Sequence, residues 1–202
     1  MSASDFWNQR YQTEDYLFGV EPNDFIRATT PMPHQGATAF APADGEGRNG
    51  VFLAEKGYHV TSVDVSNLAV DKANALAGTR GVNINSHVGD IFSFPCPSDH
   101  YDLIVIAFMH FLPADHVLFM DLMKSTLKPG GLLIMEGYTH DQLPLTSGGP
   151  KNPDMLFSRD QIAQDFNDFD ILLLQEVRRH LAEGPRHQGE AATLQLLARK
   201  PL

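Results

Sequence analysis

The stretch that most constrains this chain runs from Thr38 to Ser66: a short apolar strand, a glycine-bearing turn, an amphipathic helix and a second apolar strand ending in Asp64. In an open parallel sheet, ligands bind beyond the carboxyl ends of the strands, where the strand order reverses. The turn Ala43-Asp44-Gly45-Glu46-Gly47 lies at such an end. Its glycines allow positive φ and let a ligand lie against bare backbone. Asp64 follows Gly45 by nineteen residues, about the spacing at which an acid takes ribose hydroxyls in a nucleoside-binding βαβ unit. The expectation is a nucleoside-cofactor site.

The chain of 202 residues is long enough for one α/β domain with a real core. Its formal net charge of −10 argues against a nucleic-acid partner, which would call for clustered Lys and Arg, and against an anionic membrane surface. A single cysteine, Cys96, leaves no internal disulfide and fits a reducing compartment. The N-terminus lacks a basic region followed by an apolar run, and no stretch approaches the length of a membrane span. A cytoplasmic protein is expected.

Taken in order, residues 1–36 form an aromatic N-terminal segment, with a short helix over Asp5–Tyr11 and then Tyr16-Leu17-Phe18-Gly19. It is either a lid over a site or a helix plugging the edge of the core. The core of 37–202 begins with strands at Thr38–Ala41, His59–Asp64 and Val82–Val88. Helices over Glu46–Lys56 and from Ser66 to about Ala77 separate them, the latter broken by Gly78 and Gly81. Tyr101–Ala107 is a near-continuous apolar run, as in a strand buried on both faces. Pro113 opens a helix with Val117, Met120 and Leu127 on one face, and Lys128-Pro129-Gly130-Gly131 turns it into a strand over Leu132–Glu136. After a Pro- and Gly-rich loop at 141–157, Ser158 to Gln161 reads as a capping box for a short helix. Asp170–Leu181 and Glu190–Lys200 are joined too closely for a helical crossover, so they pair as an antiparallel hairpin. The fold class is α/β.

Chemistry gathers at the strand ends. The 43–49 turn, Asp64 and Asp90 follow three successive strands. Asp64 can accept two ribose hydroxyl protons, and Asp90 an adenine amino proton. Asn49 and the amides near Gly47 stand at a helix start, where a ligand carboxylate is stabilised. Either acid taken alone is more often a cap or turn residue; the combination is what points to a site. The string Gly45-Glu46-Gly47-Arg48-Asn49-Gly50 also matches the dinucleotide fingerprint, so an NAD-binding oxidoreductase stays open, as does a non-catalytic binding module. Against the dinucleotide stand Glu46, which would repel a pyrophosphate, and the antiparallel C-terminal hairpin.

The chain resembles class I S-adenosylmethionine-dependent methyltransferases, most of all the small tellurite-resistance-type branch. The resemblance rests on residues 6–11, 16–23, 45–49, 63–66, 127–131, 148–151 and 183–189. It departs from the usual motif at Ala43, where a glycine is common, and at Ala41, where an acid is common. The resemblance implies a Rossmann-like, mostly parallel seven-stranded sheet with helices on both faces. It implies S-adenosylmethionine as cofactor, S-adenosylhomocysteine as product, and cofactor contacts from Ala43, Asp44, Gly45, Gly47, Arg48, Asn49, Asp64, Val65, Gly89, Asp90, Ile91 and Ala107.

Methyl transfer from a sulfonium is an in-line displacement for which a protein mainly supplies alignment and a dry site. His110 is the candidate general base, although a histidine among Phe108, Met109, Phe111 and Leu112 is equally well read as a packed residue. Tyr16, Phe18, Tyr138, Arg186 and His187 are candidate substrate contacts. Ala107-Phe108-Met109-His110 lacks the Asn/Asp-Pro-Pro-aromatic signature of enzymes that methylate base or amide nitrogens. No acidic triad for a metal is visible. A small-molecule acceptor, such as a thiol or a chalcogen oxyanion, is expected.

Overall fold

The computed structural model describes residues 2–202. Seven strands form one mixed sheet: β1 (Thr38–Pro42), β2 (His59–Asp64), β3 (Asn85–Val88), β4 (Tyr101–Ala107), β5 (Leu127–Tyr138), β6 (Asp170–Ala182) and β7 (Gln188–Arg199), in the spatial order β3-β2-β1-β4-β5-β7-β6. β1–β2, β2–β3 and β4–β5 are parallel; β5–β7 and β6–β7 are antiparallel. The helices are α1 (Ala3–Tyr11), α2 (Asp24–Thr29), α3 (Arg48–Lys56), α4 (Asn67–Arg80), α5 (Pro113–Thr126) and α6 (Arg159–Asp165). The chain falls into two compact units: residues 1–95 with Glu183–Arg186, and Cys96–Ala182 with His187–Leu202.

In the first unit, β1 runs through Ala39, Phe40 and Ala41, all buried, and pairs Thr38–Pro42 with His59–Val63. The strand runs one residue past the expected Thr38–Ala41, to include Pro42. α3 starts two residues later than expected because Gly47, at φ 88, is its N-cap. α4 passes through Gly78 and ends at Gly81, whose φ of 69 makes the left-handed cap; a glycine inside a helix weakens it but does not end it. β3 is shorter than the apolar run predicts. Val82 donates its N–H to Ala77 as part of that cap, and Val82 and Ile84 pack with Val51, Leu76 and Ala77. α1 is opened by a reciprocal capping box between Ser2 and Asp5, and only Tyr11 on it is buried.

In the second unit, β4 is the near-continuous apolar strand that its sequence indicates, broken only by Asp102, which pairs with Lys128. β5 begins earlier than predicted, with Leu127 paired to Tyr101 before a register shift. The Gly130-Gly131 turn bonds in both directions with Lys200. α5 buries His116, Phe119, Met120 and Met123; of the face read from its sequence Met120 is buried as expected, Leu127 is buried but belongs to β5, and Val117 is 54% exposed. The error has a polar cause. His116 lies within the apolar stripe because Asp165 accepts from its ring at 2.6 Å, so a residue that looks hydrophilic holds a core position. Ser158 accepts from the Gln161 N–H, which is one half of the expected box.

Gly47 shows how tightly the turn is built. A β-carbon on it would lie 2.6 Å from Ala73 Cβ and 2.8 Å from Ala73 Cα, so only a bare backbone lets α3 start against α4. Gly47→Ala should therefore lower the unfolding free energy by about 2–4 kcal/mol, through left-handed strain plus overpacking. Adding Ala73→Gly should restore part of this. Denaturant unfolding of the two variants measures it, and an unchanged midpoint for Gly47→Ala would contradict the packing.

Candidate active site

In the first unit, the carboxylate of Asp64, at the end of β2, joins two pieces of backbone. Its Oδ2 accepts the Gly45 N–H at 2.9 Å and its Oδ1 accepts the Ser66 N–H at 2.9 Å. Burial raises its pKa, against the lowering effect of those two bonds. Each oxygen has one lone-pair direction engaged by the protein, which leaves capacity for two further donors. A ribose diol fits that donor–acceptor count. Val65 follows half-buried, and Gly89 donates its N–H to the Asp64 carbonyl. Asp90 is exposed, with its Oδ1 on the Phe92 N–H and its carbonyl on Ser93 and Phe94. Ile91 beside it is buried.

The glycine turn differs from its expected form. Asp44 Oδ2 accepts the Gly50 N–H at 3.0 Å, the Asn49 N–H also points to Asp44, and the Asp44 carbonyl accepts from Gly47. The start of α3 is thus capped by the protein's own carboxylate rather than left open for a ligand anion. Asp44 Oδ1 is buried without a hydrogen-bond partner. Burial foremost, with Asp64 close by, pushes the Asp44 carboxyl up to about 8. Ala43 holds φ 47, a left-handed geometry glycine would adopt without strain, so the alanine departs from the motif in residue type while the backbone keeps a glycine-like conformation.

Three other residues of the string also turn inward. Glu46 does not stand where it would repel a ligand: its Oε2 accepts the Leu17 N–H at 2.7 Å and its Oε1 pairs with Lys72 at 2.8 Å. Arg48 pairs with Glu183 at 2.7 Å, both side chains buried. Asn49 Oδ1 accepts the Asn23 N–H, and Asn23 Nδ2 donates to Glu183. Arg48 and Asn49 therefore fasten the N-terminal segment and residues 183–186. Sequence reasoning missed Glu183 and Asn23, whose only signal was their place in short motifs. The fastening extends to Gly184, where a β-carbon would lie 2.2 Å from Gly19 N, and to Arg186, whose N–H donates to the Leu17 carbonyl. The Arg186 side chain is exposed. Tyr16 donates its hydroxyl to the Lys72 carbonyl at 3.0 Å, and Phe18 packs with Tyr11 and Trp7.

In the second unit, β4 ends at Ala107, and Phe108 follows at φ 54, its N–H donated to the Glu136 carbonyl at 2.7 Å. The Phe108 ring meets those of Tyr138 and His187, at centroid distances of 4.6 and 4.5 Å. Tyr138 is buried and donates its hydroxyl to the Ser147 carbonyl. His110 does not have the geometry of a general base. Its Nδ1 lies 2.8 Å from the Met155 carbonyl and its Nε2 accepts the Tyr138 N–H at 3.0 Å, so both ring nitrogens are tied to backbone. Burial, with His116 and His187 near, lowers its pKa to about 4. It is a packed, neutral strut. The buried Glu136 carboxylate is held by Arg179, Thr193 and Gln195. Among the described residues, no group of three or more His, Cys, Asp or Glu is placed to hold a metal.

The raised Asp44 carboxyl has a thermodynamic consequence. A carboxyl that binds its proton more tightly folded than unfolded contributes stability below about pH 4 that is lost as pH rises to about 8. Asp44→Asn should be the more stable protein at pH 9, by about 1–3 kcal/mol, and lose that advantage by pH 5. Unfolding curves at the two pH values measure it; a pH-independent difference would contradict burial of the acid.

Comparison with known proteins agrees with this architecture. Residues 43–131 match a family described as a methyltransferase domain. Probable thiol methyltransferase 2 of Arabidopsis thaliana is 28% identical over 159 residues, spanning 74% of this chain and 67% of that protein. Two solved structures share the fold. A structure from work on the conversion of a disulfide bond into a thioacetal group during echinomycin biosynthesis has a TM-score of 0.80, at 15% identity over 99% of this chain and 93% of that one. TehB from Haemophilus influenzae has a TM-score of 0.69, at 21% identity over 98% of this chain and 66% of that one. The Asp64 carboxylate has the acceptor capacity an adenosyl ribose calls for, and the Asp44 carboxylate already holds the Asn49 and Gly50 N–H groups at the start of α3, which disfavours a pyrophosphate there. With a methyltransferase-domain match over residues 43–131 and a thiol methyltransferase among its relatives, the chain is similar to S-adenosylmethionine-dependent methyltransferases, whose fold it shares.

Proposed function

We propose that the acceptor is a small, soft nucleophile, a thiol before all others and then a chalcogen oxyanion of the tellurite type. The observation that carries this is the locked state of His110. With both its nitrogens on backbone, Tyr138 hydrogen-bonded to Ser147 and Glu136 neutralised by Arg179, these side chains offer no base for an alcohol or an ammonium. A thiol has an ordinary pKa of about 8.5 and reaches its anion without help. Phe108, half-buried and backed by the rings of Tyr138 and His187, offers an aromatic face that suits a polarisable sulfur. The Arabidopsis relative bears a thiol methyltransferase name and the Haemophilus neighbour the name TehB, which support the same class. The net charge of −10 disfavours a nucleic-acid acceptor.

When bound, the donor supplies a sulfonium-activated methyl group. The chain's own part is to hold the donor's ribose on Asp64, keep the turn rigid through Asp44 and Gly47, and cap the site with the N-terminal segment that Glu46, Arg48 and Asn49 fasten. Candidate donor contacts at Val65, Gly89, Asp90 and Ile91 complete the reading in the first unit. Transfer itself needs only alignment and exclusion of water.

The test is a series of thiols of graded acidity, assayed with S-adenosylmethionine across pH. Rates should rise with pH up to each thiol's own pKa, and the rise should move with the acceptor. A limb fixed at one pH whatever the thiol would reveal a protein base, and turnover confined to amines would overturn the acceptor class. His110→Gln should lose stability by about 1–3 kcal/mol, as expected for buried hydrogen bonds, without shifting the pH profile.

A further inference from the structure

Among the described residues, three that are not glycine hold a positive φ: Ala43, Asp99 and Phe108. An aspartate tolerates that region and an alanine is small, but a phenylalanine there is an outlier. Such outliers persist only where the surroundings over-determine them, and at Phe108 they do. The β4–β5 ladder ends with Ala107 beside Glu136, and the Phe108 N–H then turns back onto the Glu136 carbonyl at 2.7 Å. Glu136 is itself pinned, its carboxylate taking donors from Arg179, Thr193 and Gln195. One step further on, β5 has outrun β4, and the His110 ring supplies the missing rung by accepting the Tyr138 N–H at 3.0 Å. The Phe108 ring is thereby laid against Tyr138 and His187, which are 1% and 6% exposed and have no room to retreat. Tyr138 is held at its far end too, through its hydroxyl on the Ser147 carbonyl.

We propose that Phe108 is the specificity-determining residue of the acceptor site, a fixed wall that admits thiols on an unbranched carbon and turns away those branched at the carbon bearing the sulfur. The inference deepens the thiol reading and rests on it. A wall selects by shape only if it does not give. Flexible side chains repack around different ligands, whereas this ring has aromatic neighbours on two sides and a backbone caught between two rungs. Because Phe108 is only half-buried, part of the ring is left for contact with an acceptor. In-line transfer sharpens the demand, since the sulfur must approach the methyl group along one direction. Substituents on the adjoining carbon then meet a ring that an unbranched chain lies along. A glycine would hold the same φ without strain, so the strained backbone is kept for the sake of the ring.

The experiment compares kcat/KM for n-butanethiol and tert-butanethiol, with S-adenosylmethionine, in the parent chain, Phe108→Ala and Phe108→Gly. The ratio of the two acceptors within one protein does not depend on how much of that protein is folded. Differences in thiol acidity and intrinsic reactivity cancel between proteins. The parent's preference for the unbranched thiol should fall by about tenfold or more in both variants, the worth of a few methyl groups against a wall. Phe108→Gly should also unfold at a higher denaturant concentration than Phe108→Ala, because it alone relieves the left-handed backbone. An unchanged acceptor ratio overturns the proposal and leaves the thiol class standing; an alanine variant as stable as the glycine variant overturns it as well, by removing the strain. A parent that methylates no thiol would instead sink the acceptor class on which the proposal rests.

Discussion

One buried carboxylate holds the ends of two strands together. Asp64 takes the amide of Gly45 beyond β1 and the amide of Ser66 at the head of α4, while its own carbonyl receives the amide of Gly89 beyond β3. Burying a carboxylate is costly unless it is hydrogen-bonded, and here the bonds it receives also set the conformation of the turn. The same oxygens keep capacity for further donors. In the proposed reading, structure and ligand recognition therefore meet in a single residue, and a change made for one alters the other.

Around this point the molecule uses charged residues as internal fasteners. Glu46 holds Leu17 and Lys72, Arg48 pairs with Glu183, and Asn49 holds Asn23, so the start of α3 is tied to the segment before β1, to α4 and to residues 183–186. Removing one partner from such a pair strands a buried charge, at roughly 3–5 kcal/mol, which makes the fastening strong in one arrangement rather than adaptable. Asp44 plays the corresponding role for the helix start. A string that reads as a phosphate-binding fingerprint has instead been folded around its own carboxylate, and this is why its glycines do not announce a dinucleotide.

Much of this was legible in the sequence, because strand character and glycine turns are local signals. β2, β4 and the β6–β7 hairpin follow from apolar runs and connection length, and Asp64 from its spacing to Gly45. What was not legible depends on partners far apart in the chain. Whether Arg48 meets a ligand or Glu183 is decided by a contact across more than a hundred residues. His110 looked like a base because its neighbours were known only by type; the carbonyl of Met155 that fixes its ring lies in the irregular 141–157 loop. The buried face of α5 was misphased for the same reason, since Asp165 gives His116 its reason to be inside. Tyr11 passed as one aromatic among several, and only the fold sets its hydroxyl over Gly45.

The central claim is that the Asp64 edge holds the ribose of an adenosyl ligand. The direct measurement is calorimetric titration of S-adenosylhomocysteine into the parent and into Asp64→Asn, with thermal unfolding of both as a check on the fold. The account predicts saturable one-to-one binding by the parent and a loss of at least about tenfold in the folded variant, since two charge-assisted hydrogen bonds are weakened. Equal affinities in two folded proteins would contradict it.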